Sequence, residues 1–182
     1  MCIRDRVKTF NNALNKGRLA HAFLLTGIRG VGKTTTARII AKALNCIGDG
    51  SKKDPSFEIC NICSPCQSIN NGNFLDVIEV DAASRTGVDG IREIIDSVIY
   101  SPNNARYKVY IIDEVHMLSN AAFNALLKTL EEPPQNVKFI FATTEIKKIP
   151  ATIISRCQKF DLQKVDFKTL SNHLKNICQN ES

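Results

Sequence analysis

Residues 22–45 read AFLLTGIRGVGKTTTARIIAKALN, and this stretch decides the fold. It begins with the apolar run Ala22 to Thr26, which is typical of a buried parallel strand. The segment Gly27 to Thr34 then fits the pattern G-x-x-x-x-G-K-[ST] at every defined position. From Lys33 to Leu44 apolar residues recur at helical spacing on one side. A strand, a glycine-rich turn and a helix in this order predict a phosphate-binding loop.

The pattern gives each part of this loop an expected role. Glycines let backbone N–H groups surround phosphates where side chains would clash, and the start of the helix adds a favourable dipole. We expect Lys33 to reach the β- and γ-phosphates of a nucleotide, and the Thr34 hydroxyl to be a ligand of Mg²⁺. The predicted nucleotide-contacting residues of the loop are Gly27, Gly30, Val31, Gly32, Lys33, Thr34 and Thr35.

A second apolar run, VYIIDE at residues 109–114, ends in two carboxylates. We expect this strand to lie beside the phosphate-binding loop in the sheet. Asp113 would hold Mg²⁺, through water, and Glu114 would polarise an attacking water molecule. The alternative is that two acidic residues simply end a strand. His116 completes a DEVH string, and we interpret it as a packing or capping residue.

The remaining pattern alternates between strand and helix periodicity, apart from an irregular stretch from Asn45 to Ser68. This alternation predicts an α/β fold, a three-layer α/β/α sandwich in which helices cover both faces of a parallel sheet. The predicted strands after the first are Asp76–Val80, Lys108–Ile112, Val137–Ala142 and Gln158–Leu162. The other predicted helices are Val7–Gly17, Val88–Ile99, Asn120–Leu130, Ala151–Ser155 and Phe167–Cys178.

Four cysteines lie in the irregular stretch, at Cys46, Cys60, Cys63 and Cys66. Four thiolates from one loop indicate a structural, tetrahedral Zn²⁺ site, because a metal can hold together a loop that is too poor in apolar residues to fold alone. An iron–sulfur cluster and free thiols are the alternatives, although the C-x2-C-x2-C-x3-C-P signature of bacterial ferredoxins is incomplete here. The other cysteines, Cys2, Cys157 and Cys178, are expected to be inert.

The bulk composition describes an ordinary globular chain. It has 182 residues, 43% of them hydrophobic, and a formal net charge of +6, which favours polyanionic partners. Without an apolar run long enough for a membrane span or a signal peptide, the expected location is the cytoplasm and no membrane partner is expected. The opening MCIRDR, residues 1–6, resembles a translated sequencing adaptor, and we interpret it as a non-native leader.

Several segments together resemble the gamma/tau subunits of bacterial DNA polymerase III, from about Val7 to the C-terminus. The segments are GIRGVGKTTTARIIAKALNC, CNICSPC, DAASRTGVDGIRE, KVYIIDEVHMLSNAAFNALLKTLEEPP and FATTEIKKIPATIISRC. Members of that family are AAA+ ATPases that open a ring-shaped sliding clamp and place it on primer–template DNA. The resemblance therefore implies an ATPase that uses ATP and Mg²⁺. A polymerase label would reflect membership of the holoenzyme, not polymerisation by this chain.

The resemblance also implies roles that spacing alone does not. Arg156 matches the arginine of the family's SRC motif, which acts in trans on ATP held by a neighbouring subunit. Thr144 would be the sensor residue after the fourth strand, with Thr143 the less favoured choice. Arg85 and Thr86 match a segment that faces DNA, with sequence-independent phosphate contacts expected. The implied partners are other clamp-loader subunits, the sliding clamp and primer–template DNA.

The same resemblance divides the chain into an AAA+ core at residues 7–163, with the cysteine insertion at 46–66, and the beginning of a helical lid domain at 164–182. Because the rest of the lid and the collar would be missing, we expect weak ATP binding and slow hydrolysis by this chain alone. The alternatives are a DExH helicase, which would need a second motor lobe, and a scaffold subunit that binds nucleotide without hydrolysing it. The intact Lys33, Asp113 and Glu114 argue against the scaffold.

Overall fold

The computed structural model describes residues 19–50, 54–56, 58–84 and 88–165, together with 167, 170–171, 175 and 178–179. The predicted helix Val7–Gly17 and the predicted leader at residues 1–6 lie outside the described residues. The strands are β1 Ala22–Thr26, β2 Val77–Asp81, β3 Lys108–Asp113, β4 Val137–Thr143 and β5 Gln158–Asp161. The helices are α1 Lys33–Asn45, α2 Ser64–Asn70, α3 Val88–Val98, α4 Asn120–Glu131 and α5 Ala151–Ile154, with 3-10 helices at Val115–Met117 and Ile146–Lys148.

The five strands form one sheet in the order β2-β3-β4-β1-β5, and all neighbouring pairs are parallel. The predicted α/β class with a parallel sheet is therefore confirmed. β4 lies between β1 and β3, so the strand that ends in Asp113 is not the direct neighbour of the strand that precedes the loop. β1 pairs with β4 instead, with Leu24 opposite Phe141.

Alternation along each strand supplies two apolar cores, one on each face of the sheet. On β3, Val109 and Ile111 pack with α1, whereas Tyr110 and Ile112 face α3 and α4. The rings of Tyr110 and Phe139 stack at 5.4 Å between centroids within the second core. Nearly all residues of β1, β3 and β4 are buried, so these three strands form the centre of the sheet. Their carboxyl ends lie at the same edge of the sheet.

For the predicted elements that the structure describes in full, each boundary differs from the predicted one by one residue at most. The cysteine stretch is the exception. Helix α2, Ser64–Asn70, lies in a segment that was expected to be irregular. Pro65 occupies its first turn, where the missing N–H costs nothing, and Ile69 is buried in the core next to α1. Burial of Pro65, Cys66 and Ile69 therefore supports a helix too short to show periodicity.

The described residues of the predicted helix Phe167–Cys178 are helical, and its remaining residues lie outside the described part of the chain. Among the helices that the structure describes, none has the length and apolar character required to cross a membrane.

Candidate functional site

The glycine-rich turn joins β1 to α1 and is shaped by two glycines. Gly27 has φ 153°, and a Cβ there would lie 2.5 Å from the carbonyl oxygen of Leu162, so only glycine fits against the backbone after β5. Gly32 has φ 87°, in the left-handed region, and directly precedes α1. A Cβ on Gly32 would meet nothing within 4 Å, so the space in front of the helix start is open. The turn therefore leaves room for an anion at the N-terminus of a 13-residue helix.

The amino group of Lys33 lies within this turn. Its Nζ donates to the carbonyl oxygens of Gly27 and Ile28 at 3.2 and 3.3 Å, and the residue is 6% exposed. Both acceptors are neutral carbonyls, whereas a phosphate would offer this cation a charged acceptor. Lys33 is thus a buried cation held at the place where the pattern predicts phosphate.

Thr34 and Asp113 come into contact although β4 separates their strands. The Thr34 hydroxyl donates to Oδ2 of Asp113 at 2.5 Å, and the Glu114 N–H donates to Oδ1 of Asp113 at 2.8 Å. Thr34 reaches across the sheet edge because it lies in the first turn of α1, after the loop has crossed over the strand ends. A hydroxyl and a carboxylate oxygen in contact form a pair that can hold a hard cation such as Mg²⁺.

Glu114 has a left-handed backbone, with φ 46° and ψ 44°, which is uncommon for a residue with a Cβ. This conformation ends β3 abruptly, and the carboxylate meets the residue that follows β4. Oε2 of Glu114 accepts from the backbone N–H and the hydroxyl of Thr144, at 3.3 and 3.1 Å. The structure thus brings Thr144 to Glu114, while the hydroxyl of Thr143 lies 3.0 Å from Nδ1 of His116 and accepts the Glu145 N–H.

Three cavities surround the glycine-rich turn. A cavity of about 370 Å³ lies directly over it, and its lining combines the turn with the carboxylates at the end of β3. A second cavity, of about 540 Å³, lies on the side of Glu114 and Thr144, and a third, of about 340 Å³, is mainly apolar. The first cavity is lined by Arg29, Gly30, Gly32, Lys33, Thr34, Thr35, Asp113 and Glu114. The third is lined by Ile28, Arg29, Gly30, Val31, Lys164, Val165 and Leu170.

The four cysteines of the insertion converge. All Sγ atoms of Cys46, Cys60, Cys63 and Cys66 lie within 4.8 Å of one another. The Sγ of Cys46 lies 3.6 Å from that of Cys60 and 4.0 Å from that of Cys63. Four sulfurs about 2.3 Å from a tetrahedral ion would be about 3.8 Å apart, so the cluster has the dimensions of a single-metal site. Asn61, with φ 58°, makes the turn that brings Cys60 and Cys63 together.

The thiols of this cluster differ in acidity. N–H groups of Cys63 and Ile62 donate to Cys60 Sγ and lower the pKa of its thiol to about 6. Burial raises the pKa of the Cys66 thiol well above its usual range. Outside the cluster, burial raises the pKa of Cys157 to about 12, which keeps that thiol protonated and unreactive. Cys178 is exposed, and Cys2 lies outside the described residues.

The other predicted site residues lie away from the glycine-rich turn or outside the residues that the structure describes. Arg156 follows α5 and contacts Glu131 at the end of α4 and the carbonyl of Thr152, and it lines none of the three cavities. Arg85 and Thr86 lie outside the described residues, so their predicted DNA contacts stay a prediction.

Two residues of this region were not identified from the sequence. Arg29 lines all three cavities, but it occupies an undefined position of the motif, so no signal marks it. His116, interpreted as a packing or capping residue, is buried and also makes polar contacts to the carboxylates of Glu114 and Glu145. The DEVH string could have suggested this contact. A histidine two positions after Glu114 lies close to the end of the same strand.

Comparison with protein families gives one match that covers most of the chain. The family described as "DNA polymerase III, delta subunit" matches residues 4–166. The chain is 54% identical over 176 residues to the DNA polymerase III subunit gamma of Buchnera aphidicola subsp. Acyrthosiphon pisum, covering 97% of this chain and 47% of that protein. It is 51% identical over 170 residues to the DNA polymerase III subunit tau of Escherichia coli, covering 93% and 26%. The chain therefore spans less than half of each of these curated relatives.

Two solved structures with the same fold are less similar to this chain in sequence than the relatives above. A gamma subunit-related protein of DNA polymerase III from Thermotoga maritima superposes with a TM-score of 0.58 at 22% identity, covering 91% of this chain and 48% of that one. The RuvB Holliday junction branch migration motor from the same organism gives a TM-score of 0.54 at 22% identity, covering 88% and 45%. These likenesses concern the fold. The resemblance drawn from the motifs is confirmed by the sequence relatives.

Proposed function

Since the chain belongs to the family described as DNA polymerase III, delta subunit, we propose that it is the ATP-binding and ATP-hydrolysing domain of a clamp-loader subunit of the gamma/tau type. Its relatives by sequence are gamma and tau subunits of DNA polymerase III. Within the longer protein, this domain would use ATP to open a sliding clamp and load it onto primer–template DNA. The partners would be the other loader subunits, the clamp and DNA, and the protein would act in the cytoplasm.

The observation that carries this proposal is the 2.5 Å hydrogen bond between Thr34 and Asp113, beside the buried Lys33. It supports a bound nucleotide because a cation, a hydroxyl and a carboxylate meet at the mouth of an open glycine turn. Lys33 would leave the carbonyls of Gly27 and Ile28 for the phosphates. Thr34 and Asp113 would hold Mg²⁺, which supplies positive charge against the developing charge on the phosphoryl oxygens.

Glu114 would act as the general base towards the attacking water, with Thr144 as the sensor that contacts it. The apolar cavity next to Val31 fits an adenine ring, because a flat, uncharged base needs apolar walls beside a phosphate site. Its lining includes Lys164 and Val165, which belong to the segment 164–182 that we propose begins the lid domain. Arg156, held at the far end of α4, would serve the nucleotide of a neighbouring subunit.

We also propose that the four cysteines bind one Zn²⁺. The observed Sγ–Sγ distances of 3.6 and 4.0 Å agree with a single tetrahedral ion. An iron–sulfur cluster would hold the same sulfurs farther apart, because several metal and sulfide atoms must fit between them. The ion would be structural, since four protein ligands leave no coordination position for water. Arg106 ties this region to the core, because its guanidinium donates to the carbonyl of Cys46 at 2.7 Å.

The proposal is tested with the longer gamma/tau-type chain in a reconstituted loader, by measuring ATP affinity and ATPase rate with and without clamp and primed DNA. We expect Lys33→Ala to remove both ATP binding and stimulated hydrolysis. Lys159→Ala, which changes an exposed lysine of β5, is the matched control and should leave both unchanged. Stimulated hydrolysis that survives Lys33→Ala would contradict the proposal.

A further inference from the structure

His116 lies in the 3-10 helix Val115–Met117, directly after the strand that carries Asp113. Its side chain is only 6% exposed, and each ring nitrogen faces a carboxylate. Nδ1 is 3.3 Å from Oε2 of Glu114, and Nε2 is 3.5 Å from Oε1 of Glu145. An imidazole buried in an apolar core would make no such contacts, so the position of this ring is set by polar groups.

The contacts of His116 fall on the same oxygen of Glu114 that Thr144 holds. Oε2 accepts from the N–H and the hydroxyl of Thr144, and Nδ1 of His116 lies 3.3 Å from the same oxygen. All of these contacts are made to Oε2 of Glu114. They can therefore hold the carboxylate in place while Oε1 takes no part in them. Glu114 also lines two of the three cavities beside the glycine-rich turn, including the one directly over it, which places its carboxylate at the phosphate site.

The ring itself is held from behind. The hydroxyl of Thr143, a residue that is fully buried, lies 3.0 Å from Nδ1. Glu145 faces Nε2, and the Lys148 amino group fixes Glu145 by an ion pair of 2.9 Å. The contacts therefore run from Lys148 through Glu145 and His116 to Glu114. A chain of this kind orients its last member, because each group has a partner on both sides.

We propose that His116 is a positioning residue for Glu114. It holds the Glu114 carboxylate in the orientation in which Oε1 can accept the proton of the attacking water, and it does not itself touch the nucleotide or the water. This inference rests on the proposed function, in which Glu114 is the general base. The hydrolysis step is unchanged by it: water attacks the γ-phosphorus, the bond to the ADP oxygen breaks, and the water proton passes to Glu114.

Two substitutions separate the ring nitrogens. In His116→Asn the amide nitrogen takes approximately the place of Nδ1 and can still donate to Glu114. In His116→Gln the amide nitrogen takes approximately the place of Nε2 and reaches towards Glu145 instead. His116→Phe keeps an aromatic ring and removes both ring nitrogens. His21→Asn is the control for loss of a histidine, since His21 lies before β1, at the opposite edge of the sheet.

These variants are compared in the longer chain within the reconstituted loader, with clamp and primed DNA, for kcat, the KM for ATP and thermal unfolding. We expect His116→Phe and His116→Gln to lower kcat about 10- to 100-fold, with little change in KM, because misplacing a reacting group affects the chemical step. His116→Asn should recover most of kcat. If His116→Phe does not fold, the difference in kcat between His116→Asn and His116→Gln tests the positioning role.

Equal kcat values for His116→Asn and His116→Gln would overturn the positioning role. A wild-type kcat for His116→Phe would overturn it as well. Glu114→Gln is measured beside these variants. If Glu114→Gln hydrolyses ATP at the wild-type rate, the proposed function of Glu114 fails, and the positioning role fails with it. If Glu114→Gln is inactive while every His116 variant keeps the wild-type rate, only the inference about His116 fails.

Discussion

Arg156 is tied to Glu131 in its own chain: Nη2 donates to Oε1 of Glu131, and Nη1 donates to the carbonyl of Thr152 at 2.7 Å. The arginine side chain is one-third exposed, and the glutamate is half exposed. Such an ion pair adds little to stability, but two anchor points define where the guanidinium lies. That place is the end of α4 and not the glycine-rich turn of the same chain.

We therefore expect Arg156→Ala to lower clamp- and DNA-stimulated ATPase activity about 100-fold or more in the assembled loader, because an arginine supplied in trans offsets transition-state charge. ATP binding by the mutated chain itself should be retained. Arg156→Lys should not restore activity, since an ammonium lacks the planar fork of a guanidinium.

The matched control is Arg38→Ala, which removes an exposed arginine paired with Glu79 at 2.6 Å. It should leave stimulated hydrolysis unchanged. Loss of ATP binding in Arg156→Ala, measured by fluorescence with a labelled nucleotide, would show that the arginine serves the nucleotide of its own subunit. That result would contradict an action in trans.

The zinc proposal predicts about one zinc ion per chain by elemental analysis. Cys63→Ser, or treatment with a strong chelator, should remove the ion and lower Tm by more than about 5 °C, because the free energy of metal binding contributes to folding. Cys178→Ser, which changes an exposed cysteine outside the cluster, should do neither. Iron in place of zinc, or a Tm that is indifferent to chelation, would contradict this prediction.

Gly27 is expected to be the glycine most sensitive to substitution. A Cβ there would lie 2.5 Å from the carbonyl oxygen of Leu162 and 2.9 Å from Cγ1 of Val31. Gly27→Ala should lower the free energy of unfolding by about 2–4 kcal/mol, because backbone must move. At Gly72, with φ 70° and nothing within 4 Å of a Cβ, the alanine variant should cost only about 1 kcal/mol from backbone strain. Both free energies of unfolding are measured by urea denaturation. If Gly27→Ala and Gly72→Ala lose the same amount, the steric explanation is contradicted.

Lys138 gives stability a predictable dependence on pH. It is 3% exposed on β4, its Nζ is 3.5 Å from Nδ1 of His21, and burial lowers its pKa to about 8 from 10.5. Between these values the unfolded chain binds more protons than the folded chain, so stability rises with pH there. Below pH 8 the buried charge is fully destabilising.

Lys138→Met should therefore raise the free energy of unfolding at about pH 7 by about 1–3 kcal/mol, and this gain should vanish towards pH 10.5. The charge of Lys138 also contributes, after burial, to lowering the pKa of His21, so the same variant should raise that pKa in an NMR titration. Lys159→Met, at an exposed position, should show no pH-dependent gain. A gain for Lys138→Met that stays constant across this range would contradict the assignment.

Much of the fold could be predicted because its signals are local. The run Ala22–Thr26 and the helix from Lys33 have the periodicity of the structures that they form, and β3 ends one residue beyond its predicted end. Helix α2 was missed since a seven-residue helix held by Ile69 and by its neighbours has no period to detect. The place of β4 between β1 and β3 was also missed, because strand order depends on how three apolar faces pack and not on any one segment.

By itself, the sequence determined the glycine-rich turn, the acidic pair at the end of β3 and the spacing of the four cysteines, because each is a short pattern whose geometry follows from neighbouring residues. Only the tertiary structure decided that Thr34 meets Asp113, 79 residues away, that His116 lies between Glu114 and Glu145, and that Arg156 is held by Glu131. Contacts between distant residues depend on the order of strands and the packing of helices. Those are set by the burial of the whole apolar surface, which no local pattern encodes.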